Sequence, residues 1–378
     1  MGKEVPTRTT YEAARHTFGA TSDTHVTHAA EQKAKTTGKL APEVDPALGH
    51  PDAIRHSKLR LDKHGDRLIV TVGCPMDIES ICDTTGSMGD NVDTALRVFP
   101  DTYDLVSKVL PGYDPQLALG IFADIQDKWP LQRPQFEMTA DKIVEYLTNM
   151  SPERAGKDTP EDPQYGLFGA AFLTATYTNR IGLKGYHFTI SDAPGRDGSN
   201  SNALAFSISN LQRVFGDSVF DLVRQNGHEI DEHNLPSTHS TVRHLLKRAH
   251  AFFLQVGDSS ETSRFWTEVY DTERVIKLPD TKYLPHVKAT IIGLTEGTLQ
   301  IGGVRDFLRS TNLSGNIAEI IEAAVRNVPL LEQAKLREKL EHPVPVAGDI
   351  FANKSDLWPT SPSDDATKPP ETAPKNWL

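Results

Sequence analysis

The chain has 378 residues, enough for one large domain with extensions, and its 40 Lys and Arg against 51 Asp and Glu give a formal charge of −11. That balance excludes a nucleic-acid or anionic-membrane partner reached through net positive charge, because both need a basic surface. A hydrophobic share of 38% is ordinary for a globular protein, and no run approaches the roughly 20 apolar residues of a membrane span.

Residues 1 to about 50 are rich in Thr, Ala, His and Lys with few large apolar side chains, so they are expected to form a loose N-terminal arm. The opening MGKEVPTRTT has no apolar signal core, and Pro6 stands where a myristoylation signal has Ser or Thr. With Cys74 and Cys82 as the only cysteines, both read as buried thiols, the expectation is a cytoplasmic protein. Short apolar runs then alternate with helix-period segments. Strands are expected at Leu68–Gly73, Asp77–Cys82, Leu117–Ala123, Tyr186–Ser191, Ala251–Val256 and Val275–Leu278. Helices are expected at Asp90–Leu110, Ala140–Met150, Pro163–Thr178, Asn202–Phe215, Thr238–His250 and Tyr283–Leu294, with Thr139 and Asp162 suited to N-caps and Pro163 to a first helical position.

Several of these strands are apolar on both faces, as central parallel strands are. The expected class is therefore α/β, a central mostly parallel sheet with helices on both faces. Beyond Asn312, Ile317, Ile320, Ile321, Ala324 and Val328 recur at helical spacing until Pro329 interrupts, so residues 313–341 read as an amphipathic helical segment packed on the domain. From His342 to Leu378 there are seven Pro in 37 residues, and residues 342–378 read as a disordered Pro-rich tail.

The most informative stretch is MDIESICDTTGSMGDN, in which an apolar strand runs into Asp83, Thr84, Thr85, Gly86 and Ser87 and then a helix. Asp83, Thr85 and Ser87 alternate, so an extended loop turns three oxygen ligands to one side. Such a strand-to-helix turn lies at the carboxyl edge of a parallel sheet, where open α/β sheets bind ligands. Two further pieces converge on that edge: Lys157-Asp158-Thr159-Pro160-Glu161-Asp162 before a helix, and Ser191-Asp192-Ala193-Pro194 after a strand. Mg²⁺ is a hard cation that takes oxygen ligands, which carboxylates and hydroxyls supply. Helix N-termini disfavour a cation unless Asp83 and Asp192 compensate their partial charge.

At these residues the chain resembles a von Willebrand factor A (vWA) domain with a metal ion-dependent adhesion site, over roughly residues 67–310. Asp83, Thr85 and Ser87 match the first element of that site, Thr159 the second and Asp192 the third; ATIIGLTEGTL, 289–299, is similar to the final helix region of bacterial-type vWA domains. Thr85 stands where Ser is commoner, and the stretch from Asp217 to Ser240 is longer than a compact member needs. The resemblance implies a Rossmann-like domain that binds Mg²⁺, Mn²⁺ or Ca²⁺ and recognises a protein partner through an exposed Asp or Glu that completes the metal shell. An accessory subunit of an AAA+ ATPase is one form this takes in similar bacterial proteins.

Three other constellations compete. Asp83-Thr84-Thr85-Gly86-Ser87 also looks like the Asp-Lys-Thr-Gly-Thr segment of P-type ATPases, which would make Asp83 the nucleophile of a Mg²⁺-dependent phosphohydrolase, but Thr84 stands where that pattern has Lys. His228, His233, His239 and His244 lie near Glu229, Asp231 and Glu232, a set that suits zinc in kind but not in spacing, so surface histidines on a polar insertion are expected. Asp124 and Asp127 read as a solvated rim beside the metal face.

Overall fold

The computed structural model describes residues 28–49, 61–64, 67–70, 74–110, 113–137, 139–154, 160–174, 176–180, 182–196, 206–339 and 348–351. The strands are β1 (Leu61–His64), β2 (Arg67–Val70), β3 (Cys74–Asp83), β4 (Tyr113–Phe122), β5 (Leu131–Gln132), β6 (Gly185–Ser191), β7 (Ala249–Gln255), β8 (Val275–Lys277) and β9 (Gly348–Phe351). Six of them form one sheet in the order β5-β4-β3-β6-β7-β8, parallel throughout except for β5 against β4. The chain leaves β3 for β4 on one side, then crosses back to β6 on the other. The order therefore reverses between β3 and β6, and their carboxyl ends, Asp83 and Ser191, flank the switch point where such sheets bind ligands.

The strands' two-residue period sorts their side chains into two cores. Met76, Ile78 and Cys82 of β3 share one with Phe188, Ile190, Phe252 and Leu254, closed by helices Asp90–Val98, Asp101–Val109, Ala140–Asn149 and Leu284–Glu296. Ile81 belongs to the other with Phe122, Ala251 and Phe253, under helices Gln164–Phe168, Ile208–Phe215, Thr238–Arg248 and Ser260–Tyr270. Gly166 is needed for that approach, because a Cβ there would lie 2.7 Å from Ile81 Cδ1. The mostly parallel α/β sheet with helices on both faces that the sequence predicts is the architecture observed.

Several local expectations change. The single helix expected over Asp90–Leu110 is two, Asp90–Val98 and Asp101–Val109, parted at Phe99-Pro100, where proline lacks the N–H that would continue the ladder. The helix expected from Pro163 to Thr178 turns π-helical over Gly169–Leu173 and stops. The helix expected from Asn202 begins at Ile208, where Ser207 caps it by accepting from Asn210 N at 3.2 Å; residues 197–205 lie outside those described. Asp162 is no cap. Its carboxylate accepts from Ile125 N, Gln164 Nε2 and Arg196 Nε, tying three loops together.

Residues 28–49, expected as part of a loose arm, differ most. Helix His28–Thr37 ends at Gly38 (φ +72°), Ala34 and Val44 are buried, and Val44 O accepts from Arg133 N at 2.9 Å. Composition predicted the low apolar content correctly but not that three or four small apolar side chains suffice when a finished core offers them a seat. Within 313–341, Ala318, Ile321, Val325 and Val328 join the first core. The 217–240 stretch carries helix Val219–Gln225 with Val219, Phe220 and Val223 buried. β2, expected as Leu68–Gly73, pairs antiparallel with β1 and with β9, which comes from the expected disordered tail, in a separate three-stranded sheet. Among the described residues no helix is long and apolar enough to cross a membrane.

Candidate metal centre at the carboxyl edge of the sheet

Asp83 is the last residue of β3 and is fully buried. The loop leaving it is held back on the sheet by Thr84, whose N and Oγ1 both donate to Phe122 O at 2.9 Å. Asp83 Oδ1 accepts from Thr85 N (2.8 Å) and Thr85 Oγ1 (2.7 Å), and Oδ2 accepts from Ser191 Oγ (2.6 Å). Thr85 Oγ1 lies 3.2 Å from Ser87 Oγ, and the exposed Ser87 hydroxyl donates to Asp192 Oδ1 at 2.9 Å. Four of the five residues expected at the site thus form one connected chain across the switch point: Asp83, Thr85, Ser87 and Asp192. Thr159, with Lys157 and Asp158, lies outside the described residues.

The loop after β6 is fixed from the far side by helix Ser260–Tyr270. Thr262 Oγ1 donates to Asp192 O and Trp266 Nε1 to Ala193 O, each at 2.9 Å, so a buried indole sets where the Asp192 carboxylate stands. Nothing in the local spacing around Asp192 signals this support.

The electrostatics among the described residues are those of an acidic pocket. Burial pushes Asp83 up to about 6, opposed by the Ser191 and Thr85 hydrogen bonds and reinforced by the charge of Asp192. Burial likewise raises Asp192 against its Ser87 bond. Sequence reasoning placed Glu161 in the piece that converges on this edge but not among the site's carboxyls. It is 3% exposed, its N donates to Pro194 O at 3.0 Å, and its Oε2 is buried without a hydrogen-bond partner among the described residues. Burial, the adjacent Asp124 carboxyl and the charge of Asp83 drive its pKa strongly upward. Asp124 and Asp127, expected as a solvated rim, are buried, with Asp127 Oδ2 accepting from Asp124 N. An acidic residue two positions past the Thr159 element was the available signal for Glu161, though a carboxylate before a helix reads first as a cap.

Among the described residues neither Asp83, Glu161 nor Asp192 has an ion pair, and no three His, Cys, Asp or Glu side chains converge as a ready-made metal cage. The donors are mixed, two carboxylates joined through two hydroxyls, with a third carboxyl behind them. That set fits a hard divalent cation that keeps part of its water shell, and it fits a soft one poorly.

The four histidines weighed for zinc do not gather. His228 and His244 meet with ring centroids 4.8 Å apart, His233 and His239 are exposed, and His239 Nε2 accepts from Arg243 Nε. His228 is 5% exposed, so the expectation of surface histidines fails there.

No protein-family profile matches the chain, and no curated protein matches it. Similar solved structures include von Willebrand factor A domains. The vWF domain of the type V pili tip protein Mfa5 from Porphyromonas gingivalis is 12% identical over 61% of this chain and 97% of that one, with a TM-score of 0.38. Proximal thread matrix protein 1 from the mussel byssus, in a structure described as having a zinc-occupied MIDAS motif, is 14% identical over 59% of this chain and 46% of its own, with a TM-score of 0.36. A von Willebrand factor type A structure from Catenulispora acidiphila is 12% identical over 60% and 43%, with a TM-score of 0.29. The chain spans less than half the length of the byssus and Catenulispora chains.

Proposed function

We propose that the protein is a divalent-cation-dependent recognition module whose carboxyl-edge site takes an acidic side chain of a protein partner. The observation that carries this reading is the set of buried carboxyls at the switch point, Asp83 and Glu161 with Asp192 beside them, which have hydroxyl and amide partners but no cationic one among the described residues. Asp83, Thr85, Ser87 and Asp192, with Thr159 as the fifth candidate, would hold Mg²⁺ or Mn²⁺. The bound ion would supply the positive charge the site lacks and open coordination positions toward solvent. The chain's own contribution is positional: Thr84 and Ser191 fix Asp83, Trp266 and Thr262 fix the Asp192 loop, and Ser87 stands exposed between them where a partner arrives.

The reading puts the module inside the cell, which the free, fully buried Cys82 thiol fits, and an AAA+ ATPase is one partner class it accommodates. Phosphoryl transfer through Asp83 gains no support: Thr84, where that pattern has Lys, spends its hydroxyl on Phe122 O. Calorimetric titration of the full chain with Mg²⁺ and Mn²⁺ is expected to show one site per chain that Asp192→Ala weakens at least tenfold. Equal affinity in the variant would sink the assignment. Affinity capture with wild type beside Asp83→Ala then tests the partner, whose retention must require Asp83 and the cation.

A further inference from the structure

A second site lies away from the carboxyl edge and shares no residue with it. Helix Thr238–Arg248, the turn after helix Val219–Gln225 and the π-helical turn Gly169–Leu173 line an open cavity of about 390 Å³. Its lining includes Phe172, His228, Glu229, Asn234, Ser240 and His244. Both imidazoles are set by their neighbours: Phe172 packs on His228 at 5.1 Å and on His244 at 4.7 Å between ring centroids, and the two histidines cross at 73° with centroids 4.8 Å apart. Yet His228 Nδ1 and His244 Nε2 are wholly buried and without a hydrogen-bond partner among the described residues, although buried ring nitrogens ordinarily find one.

From these observations we propose that His228 and His244 are the protein ligands of an exchangeable site for a late first-row divalent ion, with Zn²⁺ as its representative. Two imidazoles bound to one ion at Zn–N distances of about 2.0–2.1 Å and a near-tetrahedral angle place their ring centroids roughly 5 Å apart, which the observed separation matches. Nitrogen ligands select the late transition metals over Mg²⁺, so this site and the all-oxygen carboxyl edge take different ions. Burial first, and then the charges of Lys247 and Arg248, joined at His228 by His244, push the imidazoles down to about 3 for His228 and about 4 for His244 and hold them neutral. Their lone pairs are thus free for a metal across the physiological range. Two histidines do not fill a metal's shell, and Glu229, Asn234 and Ser240 line the same cavity, where water or a small ligand has room. That makes the site exchangeable, unlike a closed structural zinc. The π-helical turn that carries Phe172 is a feature frequent at functional sites.

The test uses the full chain with the carboxyl edge silenced by Asp83→Asn and Asp192→Asn. Zn²⁺ titration by calorimetry and Co²⁺ titration by visible absorption are run with and without the further pair His228→Phe and His244→Phe, which keeps the aromatic packing. The expected result is one Zn²⁺ equivalent and a cobalt d–d band that the histidine pair removes, with unchanged circular dichroism. Equal stoichiometry and an equal cobalt spectrum in both proteins would overturn the proposal, as would failure of the edge-silenced protein to bind Zn²⁺. If the double Phe variant does not fold, His244→Gln alone is measured by the same two titrations: loss of the zinc equivalent and of the cobalt band supports the site, and their persistence overturns it.

Discussion

Glu79 and Asp83 lie four residues apart on β3, on the same face and equally out of reach of water, yet the fold treats them in opposite ways. Glu79 sits in mid-strand, where Arg133 Nε donates to Oε1 and His187 Nδ1 lies 3.2 Å from Oε2. The network continues through His187 Nε2 to Thr189 and from there to the Tyr270 hydroxyl. Burial pushes Glu79 up, but the Arg133 and His187 interactions together outweigh it and hold the carboxyl at about 2. Asp83, at the strand's end, has only the Thr85 and Ser191 hydrogen bonds among the described residues, and there burial wins, raising it to about 6. A buried carboxylate inside the sheet is neutralised by the chain itself. One at the edge is left for something else to neutralise.

The largest expected effect breaks the compensated member. Glu79→Ala leaves Arg133 and His187 buried without their anion and is expected to cost about 3–5 kcal/mol in denaturant unfolding. A loss under about 1 kcal/mol would show that the network does not hold the sheet together. The uncompensated member should respond with the opposite sign. Asp83→Asn removes a charge that burial penalises, and the Ser191 hydroxyl can turn to accept from the new amide. In chelator at pH 7 this variant is expected to be more stable than wild type by about 2–3 kcal/mol, while it loses cation binding. The pH dependence separates the two groups further. The Asp83 carboxyl is raised, so metal-free wild type loses stability as pH climbs from about 4 through 6 relative to Asp83→Asn. The Glu79 carboxyl is depressed, so its contribution is present above about 4.5 and fades as pH falls toward 2. Unfolding midpoints in chelator, measured across pH 3 to 8, read both signs in one series.

A smaller effect sharpens the comparison. Ser191→Ala deletes one of the hydrogen bonds that oppose burial at Asp83, and is expected to cost about 1.5 kcal/mol at pH 7 and almost nothing at pH 4, where the carboxyl is protonated. An equal loss at both values would mean that the bond serves packing alone. The smallest effect lies outside both regions. Removing residues 346–378 takes away β9 but no residue of the six-stranded sheet, and the melting temperature is expected to move by less than about 5 °C.

Much of the candidate site's arrangement was legible because its elements are local. The alternation of Asp83, Thr85 and Ser87 is written in five consecutive residues, and an apolar strand before them fixes which edge they occupy. Asp192 was legible for the same reason, as a carboxylate one residue past a strand. Glu161 and Asp124 were not. Each reads locally as a solvated or capping acid, and only the packing of the loop against Pro194 and of helix Gln164–Phe168 against Ile81 buries them beside Asp83. The pairing of His228 with His244 escaped for a related reason: their sequence separation fits no metal motif, and it takes Phe172, from a third segment, to bring the rings together.

The sequence by itself determined the α/β alternation, the parallel strands apolar on both faces, and the oxygen-bearing turn after β3, because each of these depends on the period or chemistry of neighbouring residues. The tertiary structure decided which buried charges would be compensated. Arg133 reaches Glu79 across 54 residues and His187 across 108, whereas Asp83 is reached across 108 residues by the Ser191 hydroxyl and by no basic side chain among the described residues. It also decided that residues 28–49 fold, since Val44, with Leu40 and Ala41 beside it, is buried in a core built by other segments. Local propensity carries no record of such distant partners, and in a low-dielectric interior those partners fix both the charge state and the role of a carboxylate.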